Sequence, residues 1–356
     1  MRILIAGEYQ WFWYEKAFEN SFKNLGHEVA AFRFIDYFKK FKVGKVEPDF
    51  ISKHAEIEFR LKFGTIINSL NRDLIEASEK FRPDVILFYR PVHIFGKTLS
   101  TLKKKNNPVI ISYFNDDPFG KSSTEFKWRH FIKSIELFDI NYIVRMKNLP
   151  EYEKCGSHKT EYLGHFFVRD VHYKSSTDKK KKDVIFAGHY ENDIRIESLE
   201  KLLKNGTDLR LYGGGWNGFL GSAKENLLLK NFHPVTPVIG GVYREKISES
   251  KIALCFLSKL NCDDSTSRNF EIPAIGTFML SEYSGMLADI YREGEEAEFF
   301  RSSDELLDKV KFYLKNEETR EKIALRGHEK AMKGDFSSDE KAKKIIADLK
   351  NDFGFS

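Results

Sequence analysis

The sequence predicts an α/β protein built from two Rossmann-like domains, and three observations carry that prediction. Short apolar runs alternate with longer stretches of helical period from the first residues onward. The alternation lapses over residues 169–182 and then begins again. A length of 356 residues suits two domains, each large enough to bury about two thirds of the surface its unfolded chain exposes. The two halves share no residue-level repeat.

In the first half, Ile3–Ala6, Val29–Phe34, Val85–Tyr89 and Val109–Phe114 read as strands, and Glu15–Asn24 and Ile57–Phe81 have helical spacing. The segment Pro83–Tyr89 has a polar start and an apolar body, as a parallel strand covered on both faces requires. Asn141–Val144 and Glu161–Leu163 add two strands, which gives residues 1–168 a mostly parallel sheet. Residues 169–182, ending in Lys179–Lys182, carry no sustained apolar period and read as a linker. In residues 183–335, Val184–Ala187, Leu209–Tyr212, Ile252–Phe256 and Phe278–Leu280 read as strands. Ile196–Lys204, Tyr243–Ser250 and Arg268–Ala274 read as helices between or beside them. Residues 336–356 hold a charged helix, Ser338–Asp352, with Ala342, Ile345, Ile346 and Leu349 on one face.

Composition narrows the function classes. Hydrophobic and charged fractions of 41% and 31% are those of a globular protein, and no apolar run reaches the length of a spanning helix. Met1–Gly7 reads as a first buried strand and not as a signal segment. Cys155, Cys255 and Cys262 lack the number and spacing of a disulfide framework, which points to a reducing cytoplasm. Basic residues are dispersed and nearly balanced by acidic ones, 58 against 53, so nucleic acid is not indicated.

The densest chemical signal is Ser267-Arg-Asn-Phe-Glu271 followed by an apolar run to Leu280 and the loop Ser281-Glu-Tyr-Ser284-Gly285-Met286. That order puts a carboxylate and a guanidinium at one rim of a parallel sheet. Ribose hydroxyls suit Glu271, and phosphate oxygens suit Arg268 and loop amides at Ser284, Gly285 and Met286. The plainer readings are an acidic first helical turn, an intrahelical Arg268–Glu271 pair and an ordinary N-capped turn. Gly188 and His189 follow a strand, and Arg195 stands at the start of the next helix. The choice there lies between close ligand approach with a phosphate-binding cation and a plain loop with a solvated Arg. Tyr212-Gly213-Gly-Gly-Trp216 is Gly-rich but lacks the dinucleotide spacing, and no helix is expected to open directly after it.

In the first domain, Asn115-Asp116-Asp117-Pro118 follows a strand end, where α/β proteins bind ligands. Three readings compete: a carboxylate that orients or deprotonates an acceptor hydroxyl, a turn-and-cap device, or a metal pair. The aromatic residues of Gly7–Tyr14 suit either a sugar-stacking cleft or a core helix. Phe34, Tyr37, Phe38 and Phe41, set among Lys39, Lys40, Lys42 and Lys45, suit either a partly buried segment or an anionic membrane or glycan surface. His165 reads as a structural histidine or a cleft base. Cysteines and histidines lack paired zinc-ligand spacing, and no metal site is predicted.

Taken with Ile290–Gly294 and Phe299–Leu306, the Ser267–Leu280 segment resembles the C-terminal half of CgeB-like (spore maturation protein type) glycosyltransferases of the GT-B superfamily, most densely over 183–333. The resemblance implies two facing Rossmann-like domains with a cleft between them, the first for the acceptor and the second for a nucleoside-diphosphate sugar. It further implies a metal-independent, retaining transfer with a UDP-sugar as co-substrate and no other cofactor. Glu271 contacts the donor ribose in that scheme, Arg268 and Arg195 the diphosphate, and Tyr212, Gly213 and Trp216 the base. Asp116 and Asp117 are the candidates in the acceptor domain. The superfamily's second carboxylate, eight positions before Glu271, is Asp263 here, so the two-Glu version is not matched. The resemblance also implies a terminal helix returning to the first domain, and work on glycan, lipid-linked or protein acceptors in the cytoplasm or at the inner membrane face. A sugar-nucleotide epimerase and a non-catalytic surface-assembly or sugar-binding protein are the alternatives on the same fold.

Overall fold

The computed structural model describes residues 1–10, 13–40, 48–120, 125–174, 182–223 and 227–355. Contacts divide the chain into two compact units, one of Met1–Gly164 with Ser338–Ser356 and one of His165–Ser337. Among the described residues no helix is long and apolar enough to cross a membrane.

The first unit holds β1 (Arg2–Gly7), β2 (Glu28–Arg33), the two-residue antiparallel pair β3 (Lys39–Lys40) and β4 (Asp49–Phe50), β5 (Val85–Tyr89), β6 (Val109–Phe114), β7 (Ile140–Ile143) and β8 (Thr160–Tyr162). Six of these form one parallel sheet in the order β2-β1-β5-β6-β7-β8. Alternate residues supply its two faces. Leu4, Ile86, Phe88 and Ile110 pack with Leu70 and Leu74 of the helix Thr65–Phe81. On the opposite face, Tyr113 meets Phe18 of the helix Trp13–Asn24 edge-on at 5.7 Å. The terminal helix Ser338–Phe353 belongs to this unit: Tyr142 donates to Asp348 at 2.9 Å and Ser21 to Asp339 at 2.6 Å.

Two expectations change here. The single helix over Ile57–Phe81 is two helices, Lys53–Leu61 and Thr65–Phe81. The chain turns at Lys62, left-handed at φ 53°, and at Gly64, φ 136°, where a Cβ would lie 2.1 Å from the Glu58 carboxyl carbon. That carboxylate accepts the first free amides of the second helix, from Thr65 at 2.8 Å and Ile66 at 2.7 Å. The aromatic stretch proposed for a membrane or glycan is largely interior: Phe34 and Phe38 are fully buried, and Tyr37 donates to Asp73 at 2.9 Å. Phe41, Lys42 and Lys45, with Trp11 and Phe12, lie outside the described residues.

The second unit holds β9 (Lys182–Ala187), β10 (Leu209–Tyr212), β11 (Ser250–Cys255), β12 (Phe278–Glu282) and β13 (Glu298–Phe300), all parallel, in the order β10-β9-β11-β12-β13. Two separate apolar clusters cover its faces. One joins Val184, Phe186, Ile252 and Leu280 to Leu199, Leu306 and Val310; the other joins Ile185, Ala253 and Met279 to Ile247, Ile272 and Leu287. Both faces are therefore buried, which is why these strands read as continuous apolar runs.

Candidate functional site

In the second sheet the chain passes from β9 outward to β10 and returns to β11 on the other side. That reversal opens a crevice at the carboxyl ends of β9 and β11, where open α/β sheets take their ligands. Most of the predicted donor residues lie on the loops that form this edge.

Arg268 begins the helix Arg268–Ile275 after β11, and its Nε donates to the carbonyl of Ala187, the last residue of β9. The guanidinium therefore sits at the switch between the two strands. Glu271 follows one turn later and is buried. The turn is held by Asn269, whose Oδ1 accepts the Thr266 amide at 2.8 Å and whose Nδ2 donates to Ser281 of β12 at 2.9 Å. Behind Glu271 stand two residues that the sequence did not single out. His172 Nδ1 accepts the Val168 amide at 3.1 Å, so a neutral ring carries its proton on Nε2, 3.9 Å from Glu271 Oε1. Burial pulls the His172 pKa down, against the attraction of Glu271. Burial, and then the Glu271 charge, push the Tyr243 hydroxyl well above its usual value. His172 falls in the stretch read as linker, where no periodicity marks it.

Arg195 is buried, with 3% of its surface exposed. Its Nη1 donates to the His189 carbonyl at 3.1 Å and its Nη2 to the Leu257 carbonyl at 3.1 Å, with Glu191 and Asp193 carboxylates each at 3.4 Å. It thus stitches the loop after β9 to the loop after β11. Glu191 adds to the seam by accepting the Lys259 amide at 3.0 Å.

Gly188 and Gly213 touch across the ends of β9 and β10. Gly213 has φ 140°, and a Cβ there would stand 1.9 Å from the Gly188 carbonyl oxygen. Trp216 is fully buried and donates from Nε1 to the same oxygen at 2.9 Å, which ties the segment after β10 to the end of β9. A helix, Trp216–Ser222, does open directly after the Gly-rich run, contrary to expectation; Gly215, φ 81°, is its N-cap. Tyr212 is half-buried and His189 exposed. Ser284 caps the short helix Gly285–Ile290 by accepting the Leu287 amide at 3.1 Å and donates to the Asp264 carbonyl at 2.5 Å. Gly285 is exposed and Met286 half-buried beside it. Asp263 is half-buried in the same loop.

The first unit carries the acidic pair. Asp117, 3% exposed, accepts from the Phe119 amide at 3.0 Å, Asn148 at 3.0 Å and Lys147 at 2.8 Å, the arrangement of a turn-and-cap device. Asp116 has a different environment: Arg90 Nη2 lies 2.7 Å from it, while Arg90 Nη1 holds Glu8 at 3.0 Å. His93 Nδ1 is 3.7 Å from the other Glu8 oxygen. Burial works against the Arg90 charge, and the Asp116 and Glu8 carboxylates more than restore it. Glu8, Arg90 and His93 were not singled out in the sequence, because 82 residues separate Glu8 from Arg90. Among the described residues no three His, Cys, Asp or Glu side chains converge as a metal site. His165 is buried at the start of the second unit.

Residues 195–347 match the family described as glycosyl transferase-like. No curated protein matches the chain. Among solved structures, a sucrose-phosphate synthase from Thermosynechococcus elongatus superposes with a TM-score of 0.69 at 11% identity, covering 100% of both chains. HepE of Anabaena, solved in complex with UDP and glucose, gives 0.64 at 11% identity, covering 99% of this chain and 100% of its own. A putative UDP-N-acetylglucosamine 2-epimerase from Listeria monocytogenes gives 0.52 at 11% identity, covering 99% and 96%. At such identities the likeness is one of fold. The chain accordingly has the GT-B fold, with two Rossmann-like units, and its second half is glycosyl transferase-like in sequence.

Proposed function

We propose that this chain is a glycosyltransferase of the CgeB-like kind, which moves a sugar from a nucleoside-diphosphate sugar to a hydroxyl on a glycan, lipid-linked glycan or protein, with retention and without a metal. A UDP-sugar is the first donor to test. One observation carries the reading: Arg268 is fixed at the end of β9, at the strand-order switch, with the buried Glu271 one turn behind it. The family match over 195–347 and the UDP complex of the similarly folded HepE support it.

Glu271 takes the ribose hydroxyls, steadied by His172. The amides at Ser284, Gly285 and Met286 allow the diphosphate close to the backbone, while Gly188 and Gly213 let the two strand ends meet, with Tyr212 and Trp216 shaping the base side. Arg195 and His189 hold the loops in register. In the transfer, the acceptor oxygen bonds to the anomeric carbon from the same face that the diphosphate leaves, as the bond from that carbon to the diphosphate breaks, so the configuration is kept. The diphosphate leaves with the electron pair, and Arg268 stabilises the charge it gains. In the first unit Asp116, oriented by Arg90, positions the acceptor hydroxyl and takes its proton, while Asp117 holds the turn.

A thermal-shift panel of UDP-, GDP-, dTDP- and CMP-sugars identifies the donor, since a ligand that prefers the native state raises the melting temperature. With that donor, Arg268→Ala should lower turnover about 100-fold, and Glu271→Ala should weaken donor binding about ten-fold. Unchanged activity in both variants would remove this site. Incubation with donor alone separates the epimerase reading: an epimer formed without acceptor identifies that chemistry.

A further inference from the structure

The first sheet has a strand-order switch of its own, between β1 and β5, and charged side chains crowd its edge. Arg90, directly after β5, sits in the left-handed region at φ 53°, as does Tyr9 after β1. Such backbone strain costs on the order of 1 kcal/mol per residue and gathers where a site needs it. Arg90 already holds Glu8 and Asp116 through its terminal nitrogens. Both carboxylates are thereby paired with Arg90, and further cations stand around them.

Lys62, 4% exposed, places its Nζ 2.9 Å from His93 Nε2 and 4.0 Å from the centre of the Phe59 ring. Lys127 lies 3.9 Å over the Trp128 ring, on the helix Glu125–Ile132. That helix is tied to the Lys62 turn by Arg129, which donates to the Leu61 carbonyl at 2.9 Å. Among the described residues neither lysine has a carboxylate within ion-pair distance. Two donors also lack acceptors there: Arg90 Nε and Trp128 Nε1, the latter on a side chain 3% exposed. A buried donor without a partner is costly, and two of them beside cations that no carboxylate pairs call for an acceptor from outside the chain. Burial pushes the Lys62 ammonium down to about 7; the Glu8 charge pulls it back, and Arg90, Lys127 and Lys39 push it further down, as repelling cations do.

The geometry points to an oxyanion site at the edge of the first sheet, formed by Arg90, Lys62, Lys127 and the Trp128 indole, which takes a phosphate or carboxylate group of the acceptor. Calling the ligand an acceptor rests on the proposed glycosyltransferase function; the anion site itself does not. An oxyanion accepts from Arg90 Nε and Trp128 Nε1 and balances the lysine charges, leaving Asp116 on Arg90 at the same edge.

Isothermal titration of the full chain tests this with inorganic phosphate, glucose 6-phosphate and glucuronate, and with glucose as the neutral control. An anionic probe should bind where glucose does not. Lys62→Met and the solvent-exposed Lys127→Met should each weaken that probe about ten-fold, and neither should change UDP affinity. Tighter binding of the phosphorylated sugar assigns a phosphate-bearing ligand, and tighter binding of glucuronate a uronate-type one. Glucose binding as well as the anions, unchanged anion affinity in both variants, or displacement of the anion by UDP would overturn the site. If the glycosyltransferase reading alone is wrong, sugar nucleotides fail to bind or react while the anions still bind.

Discussion

The two parallel sheets share a strand order, second-first-third-fourth-fifth, to which the first adds a sixth strand, yet they finish their switch-point edges in different materials. In the second unit the edge is backbone. Gly188, Gly213, Gly214 and Gly215 line the ends of β9 and β10, Arg195 donates to main-chain carbonyls of the loops, and Arg268 donates to that of the last residue of β9. In the first unit the edge is side chain: Arg90 pairs with both Glu8 and Asp116, and Lys62 and His93 stand close by. A backbone edge lets a diphosphate approach peptide N–H groups closely, with little dependence on what the nucleotide carries. A side-chain edge recognises by charge, so it can select among ligands of different anionic character. If both proposals hold, one topology serves two kinds of recognition, and the choice lies in a few residues after each strand.

If the second edge depends on close backbone approach, Gly213→Ala should break it most. The new Cβ would meet the Gly188 carbonyl at 1.9 Å from a left-handed backbone at φ 140°, and relieving that clash should cost about 4 kcal/mol. Chemical denaturation would show the loss, and a stability within error of wild type would mean that the two loops part without penalty. Arg195→Met comes next. It leaves Glu191 and Asp193, each 3.4 Å from the guanidinium, without their cation, and leaves the His189 and Leu257 carbonyls without a donor. A loss of about 3 kcal/mol follows. Because Arg195 is buried, stability should fall together with donor binding; a variant that loses donor binding at full stability would make Arg195 a direct phosphate contact instead.

The sequence shows the second edge better than the first, for a physical reason. Arg268 and Glu271 share one helical turn, and the glycines after β10 are adjacent, so local spacing displays them. Glu8, Arg90 and Asp116 meet only because β1, β5 and β6 are neighbours in the sheet, and no spacing reports that. Strands were legible for the complementary reason: burial on both faces makes them continuous apolar runs, as in Val85–Tyr89 and Val109–Phe114. The three-residue β13 is too short to show any period. The break at Lys62–Gly64 was hidden because apolar residues at helical spacing, Phe59, Ile66, Ile67 and Leu70, run straight through it. Trp216 was legible as an aromatic after glycines, but its burial under Gly188 was not.

The first edge can be probed through pH. Glu15 is buried behind Tyr9, whose amide donates to it at 2.8 Å, and burial pushes its carboxyl up to about 8 from an ordinary 4.5. The folded state therefore prefers the protonated acid. Below pH 4.5 both states carry the proton and nothing is lost; as pH rises toward 8 the unfolded chain ionises first, and stability falls. From pH 5 to pH 7 this single group should cost about 2 kcal/mol. Glu15→Gln removes the ionisable group and keeps an oxygen for the Tyr9 amide, so its unfolding free energy should lose that slope and exceed wild type at pH 7. Parallel urea titrations of the two proteins at pH 5, 6 and 7 would measure it. Coincident slopes would mean that Glu15 is ionised in the folded protein, and that the first edge holds one more negative charge than its burial favours.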